Sequence, residues 1–285
     1  MIKVLLAPML LVAVSLQAQV KQGKVVYERK INMHKRLPPE AEQFKAMVPE
    51  FQISKMELAF NATQSLFKNI QEPQDQMPTG TDGGMRRSFT FNMGGGANDQ
   101  TFRDYDKELI VESRELGPKT YLIDDTLRPL KWKMEEDTMT IAGYLCQKAT
   151  SMVSGFGMAM GGMRFGGGGG QGRGGVSADS MARRMGIPEQ QKVEAWFTTD
   201  IESSAGPDSY FGLPGLILKV VVDDGTVEIK ALSVENTPKD LVKVPNNGKK
   251  ITRDEYRKMM AQQFQGMGGR PGGGGMRVMM GAPAN

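Results

Sequence analysis

Met158-x-Met160-x-x-Met163 brings three thioethers close together along the chain. Thioether sulfur is a soft ligand that selects Cu(I) or Ag(I) over hard cations. Met267, Met276, Met279 and Met280 repeat the habit near the C-terminus. The same residues would also arise in a low-complexity Gly/Met segment, or as adaptable packing. Other chemistry-bearing residues are few, with one His (His34) and one Cys (Cys146) in the whole chain. That pair gives no zinc-ligand spacing and no intramolecular disulfide. A His-assisted nucleophile would have to use His34, and no signature points to it. Cys146 sits in "GYLCQKAT", where a strand with a buried thiol is expected. Carboxylates are numerous but scattered, so no acid/base pair can be named. No Gly-rich run continues into Gly-Lys-Ser/Thr, the phosphate-cradling pattern. A single "GRGG" is too little for an RNA-binding segment. The expectation is therefore no nameable catalytic residue, a non-enzymatic protein with an uncharacterised enzyme as the last alternative, and no nucleic-acid partner. Cu(I) through Met158, Met160 and Met163 is the one cofactor these residues suggest.

The elements that would have to position such residues follow from composition and pattern. Of 285 residues, 35 are Gly and 22 Met, and hydrophobic residues make up 39%. The glycines cluster, so the folded part is expected to be nearer ~200 residues, enough for a sizeable core. The start, "MIKVLLAPMLLVAVSLQAQ", has a charged Lys3 and an apolar run too short to span a membrane. Residues 1–18 read as a signal peptide, cleaved before Gln19, and no Cys nearby suggests a lipid anchor. The exported chain is then expected in the periplasm or cell envelope, soluble after cleavage or peripheral to the outer membrane. The formal net charge is +4, too small to demand an anionic partner.

Residues 19–250 read as one antiparallel β domain. "KVVYERKINM" (24–33) alternates as a half-buried strand, with His34 at its end. "LPPEAEQFKAMVPE" (37–50) reads as a short helix. "FQISKMELAFN" and "ATQSLFKNI" read as strands, and 71–99 as a mobile polar loop. Short strands then run from "QTFRDYDKELIVESREL" to "DTMTIAGYLCQKATSMV". The insert 152–186 holds 13 Gly and six Met, a composition in which ordered backbone is costly. In "LILKVVVDDGTVEIKALSV", Asp224-Gly225 signals a type I′ turn pairing Val222 with Val227, Val220 with Ile229 and Leu218 with Ala231. Pro214-Gly215 suits the centre of a type II turn. Thr252 and Glu255 have capping-box spacing ahead of a helix over 251–265. Tyr256, Met259, Met260 and Phe264 form its apolar stripe, and Gly266 can end it. Residues 266–285 read as a disordered Gly/Met-rich tail.

Three blocks in order, "GYLCQKAT" (143–150), "EAWFTTDI" (194–201) and "GPDSYFGLPGLIL" (206–218), resemble the GLPGLI family of exported Bacteroidetes proteins. The hexapeptide Gly212, Leu213, Pro214, Gly215, Leu216 and Ile217 is complete, and Cys146, Lys148, Trp196, Gly206 and Pro207 match as well. The resemblance implies an envelope protein, mostly antiparallel β, with no activity or catalytic residues to carry over. The expected architecture is mainly β with minor α: a curved antiparallel sheet or half-barrel with one or two helices on its concave side. A half-barrel can enclose an apolar cavity. Trp196, Phe197, Tyr210, Phe211 and Leu213 are the residues expected near its mouth, unless they simply fill the core. The function expected is a non-enzymatic binding or carrier module for an apolar small molecule or an envelope protein partner. An apolar cavity bordered by 206–217 is its discriminating feature.

Overall fold

The structure is a computed structural model and describes residues 21–37, 39–70, 98–154, 189–237 and 241–268. The expected signal peptide, most of the 71–99 and 152–186 loops, Met158, Met160, Met163 and the tail beyond Gly268 lie outside the described residues.

The described strands form one open twelve-stranded sheet, the mainly β architecture that the alternating strand patterns predict. They are β1 (Gly23–Asn32), β2 (Phe51–Phe60), β3 (Gln64–Asn69), β4 (Gln100–Asp104), β5 (Leu109–Leu116) and β6 (Lys119–Thr126). After these come β7 (Lys133–Ile141), β8 (Tyr144–Ser154), β9 (Gln190–Thr198), β10 (Leu216–Val222), β11 (Val227–Asn236) and β12 (Lys249–Ile251). One helix follows, α1 (Arg253–Gly268). The order β12-β6-β5-β4-β3-β2-β1-β11-β10-β9-β8-β7 is two antiparallel meanders joined along β1 and β11. The exception to antiparallel pairing is β12, which runs parallel to β6.

Side chains alternate between the two faces of a strand, so the pairing register assigns each residue a face. Val25, Tyr27, Met56, Leu58, Phe60 and Phe67 share the inner face and are buried in the main core. Ala59, Phe102, Val111 and Leu122 share the outer face and form a smaller cluster under Val242. The chain leaving β11 thus passes over the outer face before β12 pairs with β6. Helix α1 returns to the inner face, where Tyr256 packs on Tyr121 and Ile123 of β6.

The hairpin register is the expected one: Val222 opposes Val227 and Val220 opposes Ile229. Asp224 (φ 49°, ψ 39°) and Gly225 (φ 92°) have type I′ geometry, closed by the Thr226 N–H donating to the Asp223 carbonyl at 3.1 Å. The capping box also forms. The Glu255 N–H donates to Thr252 Oγ1 at 3.2 Å, and the Thr252 N–H donates to Glu255 Oε2 at 2.8 Å.

Four local expectations need correction. The 37–50 segment is not α-helical but 3-10 over Pro39–Met47. His34 lies in a 3-10 turn after β1, with Nε2 2.8 Å from the Val48 carbonyl oxygen. Helix α1 continues past Gly266 to Gly268. Pro214-Gly215 is not a type II turn: the glycine with positive φ is Gly212 (+89°), whereas Gly215 has none.

Gly215 is needed for a different reason. It passes directly against the Thr198 carbonyl at the end of β9, and a Cβ there would collide with that backbone oxygen. Backbone cannot yield as a flexible side chain can. Gly215→Ala should therefore lower unfolding stability by about 2 kcal/mol or more. The exposed neighbour Pro214→Ala should cost under about 1 kcal/mol. Urea titrations of both variants check this; similar small losses would remove Gly215's close approach as the reason for the residue.

Candidate functional site

Strands β9 and β10 are neighbours, yet residues 199–215 join them by a long excursion over the inner face. Ile201, Ala205, Tyr210 and Leu213 from this connection are at most 1% exposed and belong to the main core. Polar contacts fasten it across the sheet. The Tyr27 hydroxyl donates to the Ile217 carbonyl at 2.6 Å, and Ser203 Oγ donates to the Asn61 carbonyl at 2.9 Å. Trp132 Nε1 donates to the Phe211 carbonyl at 2.9 Å, and Arg103 Nη2 donates to the Asp208 carbonyl.

The five residues expected at a cavity mouth do not line one. Trp196 pairs with Lys148 on the outer face, under the Lys148 ammonium 5.6 Å from its ring. Phe197, next along β9, points the other way by alternation. Tyr210, Phe211 and Leu213 sit on the covering connection. All five are 8% exposed or less, so they fill core space. Cys146 is also fully buried, and burial pushes its thiol up to about 11, away from the reactive thiolate. Among the described residues no group of His, Cys, Asp and Glu is placed to hold a metal ion.

Past Phe67, the inner face of β3–β5 changes from apolar to charged. Asp99 precedes β4, Thr101 and Arg103 lie on it, and Glu112 and Arg114 lie on β5. The register places all five on the inner face. Arg114 Nη1 is 3.2 Å from Asp99 Oδ2, and Nη2 is 3.3 Å from Glu112 Oε1. Arg253, the first residue of α1, joins from above. Its Nη1 is 2.7 Å from Glu112 Oε2 and its Nε is 2.9 Å from Asp125 Oδ2. Buried charges persist when paired in this way. Although burial raises the Glu112 carboxyl, Arg114 and Arg253 outweigh it and hold the group down at about 2.

Two arginines stand outside that network. Arg103 is 3% exposed, and its Nε and Nη1 have no hydrogen-bond partner. Burial, with the nearby Arg114 charge, lowers its pKa, although Tyr105, Asp208 and Glu112 act against that. Arg29 of β1 donates through Nε to Ser54 Oγ at 3.2 Å. Among the described residues neither pairs with a carboxylate.

Between the covering connection and the Arg114 network lies a small cavity of about 30 Å³. Arg29, Asn69, Asp99, Thr101, Arg114 and Asp208 line it, with Phe67. A wider, open groove of about 370 Å³ shares Asn69 and Asp99 with it; Ile70 and Asn98 at the strand ends, and Glu57, Lys68 and Gln100, which the register places on the outer face, extend it. Both are polar, unlike the apolar cavity expected beside 206–217. Sequence reasoning missed this site because Thr101, Arg103, Glu112 and Arg114 read as ordinary polar strand residues. No local signal marked them: β4 and β5 are buried on both faces, and their buried apolar residues Phe102 and Val111 have the opposite parity.

A family model described as a protein of unknown function (Porph_ging) matches residues 132–219. That span holds β7–β9, the covering connection and the start of β10, including Gly212–Ile217. No curated protein matches. Two crystal forms of PNGF-II match with TM-scores of 0.47 and 0.48 at 15% and 13% identity. Each match covers 85% of this chain and 33% of that one, so this chain spans about a third of their length. LprF from Mycobacterium bovis matches with a TM-score of 0.27 at 10% identity, over 80% of this chain and 90% of that one.

The depressed Glu112 value has a consequence for acid stability. Its folded value lies below the ordinary 4.5, so its stabilisation is complete above that pH and is lost as pH falls toward about 2. The stability difference between wild type and Glu112→Gln should be widest near neutral pH and shrink across that window. Denaturant midpoints at several pH values measure it. A difference that stays constant with pH would exclude Glu112 as the titrating group.

Proposed function

We propose that this chain is a non-enzymatic binding module of the cell envelope, exported by its N-terminal segment. It takes its ligand in the polar cleft that runs from the small inner-face cavity beside the 199–215 connection, past Asn69 and Asp99, to the groove round the ends of β3 and β4. The observation that carries this reading is Arg29, a half-buried arginine on the cavity wall that pairs with no carboxylate among the described residues. Arg103 is buried on the same face, with its Nε and Nη1 without a hydrogen-bond partner. Folding alone gives no return for desolvating such a group, whereas a bound ligand does. A polar ligand suits the site better than the apolar cargo expected from sequence, because the apolar side chains near 206–217 are packed against one another.

A second reading rests on Met158, Met160 and Met163, as a soft trap for Cu(I). Native mass spectrometry separates the two. Protein purified from the envelope without detergent should carry a small polar mass, and Asn69→Trp, which fills the cleft, should lose it. A bare mass for the wild-type protein would reject the cleft reading. Stoichiometric copper uptake that disappears when 155–188 is deleted would favour the methionine reading instead.

A further inference from the structure

The cleft has two parts of unlike size, and the smaller one is the more informative. Its volume, about 30 Å³, admits a water or two, or one carboxylate-sized group, and nothing larger. Of its cations, Arg114 is committed to Asp99, Glu112 and Thr101. Asp99 is committed in turn, accepting from Arg114 and from the Glu115 N–H at 2.8 Å. Among the described residues Arg29 bonds through Nε alone, to a neutral serine, which leaves both its Nη groups for a partner. Arg103 lies one contact away, through the Asp208 carbonyl, and brings a further positive charge that the Asp208 and Glu112 carboxylates offset only from a distance. Asn69 and Thr101 add neutral hydrogen-bonding groups to the wall.

We propose that this small cavity is an anion subsite that takes the carboxylate of a small polar ligand, with Arg29 as its principal partner. This rests on reading the cleft as the ligand site. A guanidinium fork matches the two oxygens of a carboxylate. The body of the ligand then passes the Asn69 and Asp99 wall, round the strand ends, into the wider groove lined by Glu57, Lys68, Ile70, Asn98 and Gln100. There Lys68 pairs with Glu57 at 3.0 Å, and the amides of Asn98 and Gln100 suit a polar molecule. Arg103 acts as a positioning residue. It holds the Asp208 carbonyl at the cavity wall and contributes its field without touching the anion.

Thermal melts of the full exported chain in sodium acetate, against sodium chloride at equal ionic strength and pH, test this with acetate as the probe. Acetate should raise the Tm in a saturable manner, by about 2 °C or more at saturation. Sulfate, a tetrahedral dianion, should do less. Arg29→Gln should keep the wild-type far-UV circular dichroism but lose the acetate response. Arg29→Lys, which retains charge without the fork, should recover part of it. Equal melts in acetate and chloride would overturn the anion subsite, as would an acetate response that survives Arg29→Gln. If the envelope-purified protein retains a small mass but acetate has no effect, the subsite fails while the cleft reading stands. If the bound mass is absent too, both fail.

Discussion

The fold depends on how the 199–215 backbone is held against the sheet. A buried connection must satisfy its own peptide groups, and this one does so in part with distant partners. The Trp132 indole and the Arg103 guanidinium donate to its Phe211 and Asp208 carbonyls, and its Ser203 hydroxyl ties it to the Asn61 carbonyl. Close approach does the rest: Gly215 lies against Thr198, and Gly212 lies so near Pro129 that an added Cβ would be 2.7 Å from that ring. With the backbone fixed, Ile201, Tyr210 and Leu213 are delivered into the core. The hexapeptide is therefore a seam between the covering connection and β10, and its glycines are places where two stretches of backbone nearly touch.

The two meanders solve the burial problem differently. The β7–β11 half with β1 packs Val, Ile, Leu and aromatic side chains under the connection. The β3–β6 half places Arg103, Glu112 and Arg114 inward and closes over them with Arg253. Replacing a buried ion network with apolar residues is often neutral or stabilising. Helix α1 has two roles there: Tyr256 supplies apolar cover, and Arg253 completes the charge balance around Glu112.

Much of this was legible in the sequence where two independent signals coincided. The Asp224-Gly225 turn and the alternation of Val220, Val222, Val227 and Ile229 specify one register together. Thr252 and Glu255 specify the start of α1 in the same way. Legibility failed where a residue's role depends on a partner far along the chain. Nothing local to Gly215 reveals the Thr198 carbonyl, so the Pro-Gly pair looked like a turn. Trp196 and Phe197 looked like a shared aromatic site, although consecutive strand residues face opposite ways. Arg103 and Arg29 are 74 positions apart in sequence, and only the strand order puts them on one face. The 3-10 segment Pro39–Met47 has good helix formers but no apolar stripe long enough to be packed.

The joining of the meanders also bears on how the chain acquires its structure. Each meander pairs strands close in sequence, but the seam between them sets Tyr27 opposite Ala231. The β1 strand leaves the ribosome among the first and gains its second neighbour among the last. Such non-local closure is slow, because chain entropy is lost before the contacts that offset it form. During that interval the β1 edge, with Val25 and Tyr27 uncovered, is open to pairing with other chains. A protein built this way would gain from a holding chaperone until β11 arrives, and truncation anywhere before residue 227 would leave its central strand half-paired.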